Sequence, residues 1–191
     1  MTGSSRARWV VPALALLAAF NLGFFTRPLI DAAARPDTLE LLRGSTHIPE
    51  ARGARAPAVF VAFDPYCRHC RALHEVLAKH IAAGEIQVEW VPVAFMDPDS
   101  LSVGAQILSA AKPSLALTRW FGAEPGNPGE FSSAASPVET QSRIVANTQL
   151  VRSLVGRDVA PALFYHDRTG ATQLTVGAPS DIEHWLHSLS R

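Results

Sequence analysis

Six consecutive apolar residues, Ala58-Val59-Phe60-Val61-Ala62-Phe63, stop at Asp64-Pro65, and Cys67-Arg68-His69-Cys70 follows almost at once. A strand-length run that is apolar at every position has no face to offer water, so it predicts a central strand covered on both sides. Beyond it, Leu73, Val76, Leu77 and Ile81 recur at helical spacing. They predict a helix from Cys70 to Ala83 that Gly84 ends. Two thiols thus fall where a buried strand turns into an amphipathic helix.

Further elements follow in order. Ile86 to Phe95 is rich in β-branched and aromatic residues and predicts a second strand. Ser100 to Ala111 and Ser114 to Phe121 predict two helices broken at Pro113, and a Gly/Pro/Ser loop runs from Gly122 to Pro137. Val138 to Val155 predicts another helix, with Ile144, Val151, Leu154 and Val155 on one face and Gly156 as its stop. Ala162 to His166 and Ala171 to Val176 predict a hairpin around Asp167-Arg168-Thr169-Gly170. A last helix begins near Asp181, with Ser180 and Glu183 as a capping box. Upstream, residues 31–57 are polar and predict a linker with one short element at Thr38–Leu42. Periodicity alone supports an α/β fold with a mixed sheet.

The bulk composition narrows the function classes. Hydrophobic residues make up 48% of the 191 and charged residues 18%, which excludes a disordered chain. Seventeen basic residues balance seventeen acidic ones, so there is no charge surplus to grip a phosphate backbone and no nucleic-acid partner is expected. The two cysteines are the only ones in the chain and sit three residues apart. A bridge between them closes a tiny loop and constrains the unfolded chain very little. The pair is therefore expected to serve chemistry rather than stability.

The spacing leaves redox chemistry and metal binding as competing uses. Cys67 falls at a helix start, where free N–H groups and the helix dipole favour an anion. Cys70 lies one turn along, placed to attack a mixed disulfide. The thiolate is the nucleophile, and positive charge from Arg68 and a protonated His69 is expected to lower the Cys67 pKa. A stabilised thiolate makes the disulfide a better oxidant. Asp64 is either a proton acceptor for Cys70 or a cap for the turn. Haem attachment needs His directly after the second cysteine, and Arg71 stands there. Metal binding through Cys67, Cys70 and His74 lacks a fourth ligand, and a copper site lacks methionines, with only Met1 and Met96 present. Redox exchange is the expectation, without metal or organic cofactor; a tethered module holding a metal or an assembly partner is the alternative. His74 and His80 are expected on the helix surface.

At the N-terminus, Arg6 and Arg8 precede an apolar run from Trp9 to Phe25. As a helix it would span about 25 Å, the short limit for crossing a bilayer. The basic flank predicts a cytoplasmic start and an exported remainder, with residues 1–30 as an anchor or, if cleaved near Ala32-Ala33-Ala34, a signal peptide. Either way the cysteine pair lies in an oxidising compartment.

With FVAFDPYCRHCRALHEVL (Phe60 to Leu77), the chain resembles the bacterial periplasmic thiol–disulfide interchange family, nearest its DsbG and DsbC branch. STHIPEA upstream, WVPVAFMDPDSL downstream and VAPALFYHDRTG late in the chain extend the likeness from about Gly44 to the C-terminus. The resemblance implies a thioredoxin-like fold over residues 58–191, with a helical insertion at about 100–156. It also implies exported protein substrates, a membrane redox partner that resets the pair, and a cis-proline at Pro161 that, with Ala160, docks the substrate backbone. Three departures stand out. Arg-His separates the cysteines where the DsbG-like pattern has Pro-Tyr, and Ala160 replaces the usual Thr. Between Phe25 and Pro57 there is room for a linker but not for the family's dimerisation domain. The expectation is therefore a periplasmic monomer, tethered through residues 9–25, acting as oxidase or reductase rather than as a dimeric isomerase.

Overall fold

Strand β2 (Ala58–Phe63) is buried at every position after its first residue, as its composition requires. A computed structural model of the chain describes residues 37–51, 56–123, 131 and 136–190. In chain order the remaining elements are α1 (Thr38–Arg43), β1 (Ile48–Glu50), α2 (Arg68–Ala83), β3 (Gln87–Pro92), α3 (Ser100–Ser109), α4 (Pro113–Gly122), α5 (Val138–Val155), β4 (Ala162–His166), β5 (Thr172–Val176) and α6 (Ile182–Ser188). The five strands form one sheet in the order β1-β3-β2-β4-β5. β2 runs parallel to β3, with Val61 opposite Trp90, and antiparallel to β4, with Phe60 opposite Phe164. This is the mixed sheet that the sequence predicts, with three helices among the described residues between β3 and β4. The apolar run 9–25 lies outside the described residues, and among those described no helix is long and apolar enough to cross a membrane.

Alternation along β2 divides the core. Phe63 meets Trp90 and Phe121 edge-on, at 6.0 and 5.8 Å between ring centroids, whereas Phe60 meets His47 at 5.7 Å on the other face. Burying an aromatic side chain of this size stabilises the fold by about 1.5–3 kcal/mol, so the Phe63–Trp90–Phe121 cluster helps to hold the helices on the sheet.

Several expectations shift. The stretch 31–57, expected as a linker with one short element at Thr38–Leu42, contributes that element as α1 and, beyond expectation, β1. Leu39, Leu42 and Ile48 are buried, and β1 pairs antiparallel with β3 through Ile48 opposite Trp90. A three-residue strand carries no periodicity of its own and exists because a neighbouring edge is there to pair with. The second strand stops at Pro92, and α2 starts at Arg68 rather than Cys70, because Cys67 already caps it. α3 ends at Ser109 and α4 starts at Pro113, where a proline's missing N–H costs nothing. The cap of α6 is Asp181, whose carboxylate accepts from His184 N at 2.9 Å, so Ser180 does not serve. His74 and His80, expected at the surface, are both buried.

The insertion is sewn to the sheet by polar groups. Asn147 on α5 donates to the carbonyls of Thr46 and Pro92 and accepts from Thr46 N–H. Thr148 accepts from Ala94 N–H at 3.1 Å. Gly104 on α3 allows α5 to come close, since a Cβ there would stand 3.1 Å from the Ile144 Cδ1.

Candidate functional site: a dithiol at the start of α2

The site is built by the end of β2. Cys67 is the N-cap of α2, and its sulfur accepts the Cys70 N–H at 3.2 Å. Both cysteines are free thiols, Cys67 5% exposed and Cys70 fully buried. The two sulfurs therefore differ in character. The Cys67 pKa is lowered to about 7, chiefly by a hydrogen bond from the Cys70 thiol, with help from the N–H groups of Cys70 and His69 and against the opposing effect of burial. Burial, reinforced by the Cys67 charge, pushes Cys70 strongly upward. One sulfur is thus the more readily ionised and the other is held as a thiol.

Asp64, at the end of β2, holds the surrounding loops. It is fully buried, and its two oxygens accept four bonds: Tyr66 N–H at 2.9 Å, Ser100 Oγ at 2.8 Å, Phe95 N–H at 2.7 Å and Met96 N–H at 2.9 Å. The carboxylate thus ties the cysteine loop to the chain leaving β3 and to the start of α3. A second tie comes from the insertion, where Trp120 Nε1 donates to Pro65 O at 2.6 Å and its ring meets Tyr66 at 5.4 Å. Arg71 donates to Ala123 O from the other side. Neither anchor has a sequence signature, since both depend on α4 returning to the cysteine loop.

The segment before β4 closes the site. The Ala160–Pro161 peptide is cis. Ala160 O accepts the Cys67 thiol at 3.3 Å, and Pro161 O accepts Gly177 N–H at 2.8 Å. Residues 93 apart in sequence are thus brought together at the nucleophile. Arg68 and His69 lie beside it with exposed side chains, and Arg68 Nε donates to His69 Nε2 at 3.4 Å.

The histidine weighed as a metal ligand and expected at the helix surface is instead turned inward. His74, one turn after Cys70, is only 7% exposed and is packed between Trp90 and Phe121, at 5.2 and 5.3 Å between rings. Its Nε2 lies 3.7 Å from Glu50 Oε2 and makes no hydrogen bond. Glu50 Oε2 accepts instead from Trp90 Nε1 at 2.9 Å. His74 is thus turned into the core, and among the described residues no group of three metal-ligating side chains assembles; the donor set Cys67, Cys70 and His74 does not come together. A cavity of about 620 Å³ opens in the insertion between α3 and α4, lined by Leu115 and Phe131 among others, and shares no residue with the dithiol.

No family model matches the chain. It is 22% identical over 121 residues to the thiol:disulfide interchange protein DsbG of Escherichia coli K12, covering 63% of this chain and 48% of that one. To DsbG of Pseudomonas aeruginosa it is 25% identical over 155 residues, covering 79% and 58%. The chain is thus similar in sequence to DsbG and has a thioredoxin-like fold. It spans about half the length of the curated relatives it matches. Two solved structures share the fold of this DsbG-like chain. ScsC of Proteus mirabilis in a compact conformation aligns with a TM-score of 0.62 at 15% identity, covering 91% of this chain and 87% of ScsC. A disulfide interchange protein from Neisseria gonorrhoeae aligns with a TM-score of 0.54 at 23% identity, covering 76% of this chain and 97% of that one.

Proposed function

We propose that this DsbG-like chain is an exported thiol–disulfide oxidoreductase acting on protein substrates through Cys67 and Cys70. The observation that carries the reading is the asymmetry of the two sulfurs: a helix-capping Cys67, 5% exposed and lowered to about 7, beside a fully buried Cys70 held protonated. When the reduced protein acts, the Cys67 thiolate attacks a substrate disulfide, its sulfur bonds to one substrate sulfur, and the other leaves as a thiolate. Cys70 then attacks Cys67, the internal disulfide forms and the reduced substrate departs. Run in reverse, a substrate thiolate opens the internal disulfide and the substrate leaves oxidised. Ala160 and Pro161 dock the substrate backbone, a role supported by Ala160 O at 3.3 Å from the nucleophilic sulfur. Arg68 adds positive charge at the surface beside it.

Stabilising the Cys67 thiolate stabilises the reduced form, so the pair belongs to the oxidising half of the thioredoxin-fold range. The proposed setting is the periplasm, with residues 9–25 as tether, a membrane redox partner that resets the pair, and a monomer acting as oxidase or reductase. The decisive experiment is Cys70→Ser in the full chain. It should accumulate mixed disulfides with exported proteins that disappear on reduction; a variant that traps nothing would sink the enzyme reading. Equilibration with glutathione should return a potential less negative than thioredoxin's, which is about −270 mV.

A further inference from the structure

Asp64 gathers Cys67 and its neighbours at the end of β2. Its carbonyl accepts Cys67 N–H at 3.0 Å, one carboxylate oxygen accepts Tyr66 N–H and the other Met96 N–H, both at 2.9 Å. The residue before the nucleophile and the chain leaving β3 are therefore held side by side. Each presents an apolar side chain to solvent, Tyr66 at 41% exposure and Met96 at 49%. The Tyr66 ring is held in place: it meets Trp120 at 5.4 Å, and Trp120 is itself bonded to Pro65 O. A fixed, exposed aromatic ring next to a reactive sulfur is a contact surface whose ordering cost is already met.

The charge around this ledge decides what it fits. Met96 is followed by Asp97 and Asp99, both exposed. Asp97 N–H donates to Ser100 Oγ at 3.1 Å, and the Asp97 carboxylate accepts Asp99 N–H at 2.9 Å. Ser100 Oγ in turn donates to Asp64, so the turn carrying both acids hangs on the same residue as Tyr66. Exposed acids elsewhere are paired, Glu40 with Arg43, Glu139 with Arg143 and Asp158 with Arg152, whereas Asp97 and Asp99 have no cationic partner among the described residues. Their charge is felt at the ring. The Tyr66 hydroxyl is raised above the ordinary tyrosine range, first by burial and then by Asp99, Asp97 and Asp64. An aromatic face in a negative field attracts a cation twice over, through the ring quadrupole and through the carboxylates. A Lys or Arg side chain satisfies both demands, laying its aliphatic stem on an apolar surface while its head stays at the acids.

We propose that Tyr66, Met96, Asp97 and Asp99 form a docking ledge for a basic residue next to the substrate's cysteine, so that the dithiol exchanges preferentially with disulfides flanked by Lys or Arg. This rests on the thiol-exchange reading above and adds a substrate class to it.

The test uses the reduced full chain carrying Cys70→Ser, in which exchange stops at the mixed disulfide: Cys67 bonds to one peptide sulfur and the other peptide leaves as its thiolate. Two sets of short peptide homodisulfides are compared, with Lys or Glu directly before the cysteine in one set and directly after it in the other. The rate of mixed-disulfide formation is read by quenching and mass spectrometry, and the Lys-to-Glu ratio is taken within each protein. Differences in Cys67 reactivity cancel within that ratio, and the intrinsic reactivity of the peptides cancels between proteins. In at least one set, adding Asp97→Asn and Asp99→Asn together should lower the ratio about 10-fold. Tyr66→Leu, which keeps an apolar side chain and removes the ring, should lower it about 3-fold. A ratio that either change leaves unmoved in both sets overturns the proposal, and so does a parent protein that favours the Glu peptides in both. If the double variant does not fold, Asp99→Asn alone decides, because that carboxylate makes no capping bond to α3; an unmoved ratio there overturns the proposal equally. Failure of every peptide to form a mixed disulfide with Cys67 removes the exchange reading itself, and this inference with it.

Discussion

Two carboxylates near α2, Asp64 fully buried and Glu50 only partly so, are built on opposite plans. Asp64, above the dithiol, is saturated by four donors drawn from three separate stretches of chain. Glu50, below it, takes one bond from Trp90 and faces an unbonded His74 nitrogen at 3.7 Å. A carboxylate with every lone pair used is a structural hub, since no partner can leave without stranding another buried group. A centre with spare capacity can lose a partner without stranding a chain of buried groups. Position beside a reactive thiol does not distinguish the two; hydrogen-bond occupancy does.

The harshest way to break the comparison is Asp64→Ala. Losing one hub strands three backbone N–H groups and a hydroxyl at once, so unfolding in urea should register a loss of about 3–5 kcal/mol. The chain from Phe95 to Ser100 should also gain hydrogen exchange. A loss below about 1 kcal/mol would mean that water replaces the carboxylate and that Asp64 is not a hub.

The second cut is between the centres. Because the Cys70 thiol is the largest influence lowering Cys67, Cys70→Ala should raise Cys67 from about 7 toward its ordinary 9.0, read as thiolate absorbance or as alkylation rate against pH. The sign of the stability effect follows. Cys67 has a depressed folded-state value, so its contribution to the reduced protein is fully present above pH 9 and is lost as pH falls through 7. Cys70 is shifted the other way; its contribution is complete below its unfolded value of 9.0 and is lost as pH rises above it. The reduced protein should therefore gain stability from pH 7 to about 9 and no further. A flat profile across that window in thermal melts would contradict the asymmetry.

How far the sequence anticipated these centres depends on the reach of each contact. β2, α2 with its Gly84 stop, and the α5 and β4 boundaries were visible because local composition and periodicity determine them. The cysteine pair was visible because its spacing is itself the chemistry. β1 was not, since Ile48–Glu50 is a strand only by virtue of the β3 edge. The burial of His74 was hidden for the same reason: on α2 its position reads as flanking the apolar stripe, and only Trp90 and Phe121, from two other elements, enclose it. Asp64 was narrowed to two roles by its place at the strand end, and its bonds to residues 95–100 lay beyond what that place reveals. The tie from Trp120 to Pro65 spans 55 residues and leaves no trace in either segment.

That tie tests whether the saturated centre acts alone in holding the cysteine loop. Trp120→Phe keeps most of the ring contact with Tyr66 and removes only the Nε1–H bond to Pro65 O. A single lost hydrogen bond should cost about 1 kcal/mol, leaving Cys67 alkylation near the wild-type rate because Asp64 still holds Tyr66. If alkylation changes as much as in Asp64→Ala, the two anchors are one unit and the hub is wider than a single carboxylate.

The smallest effect belongs to charge outside both centres. Arg68 and His69 are exposed and engage each other at 3.4 Å, while the groups that lower Cys67 are the Cys70 thiol and backbone N–H groups. Solvent screens an exposed guanidinium, whose influence on a neighbour is of the order of 0.2–1 kcal/mol. Arg68→Ala should therefore raise the Cys67 value by less than about one unit, and 1 M salt should erase most of the difference. A larger, salt-resistant shift would mean that the guanidinium reaches the sulfur more directly than its exposed position implies. Tuning of the pair would then be shared between its interior and the surface dipeptide between the cysteines.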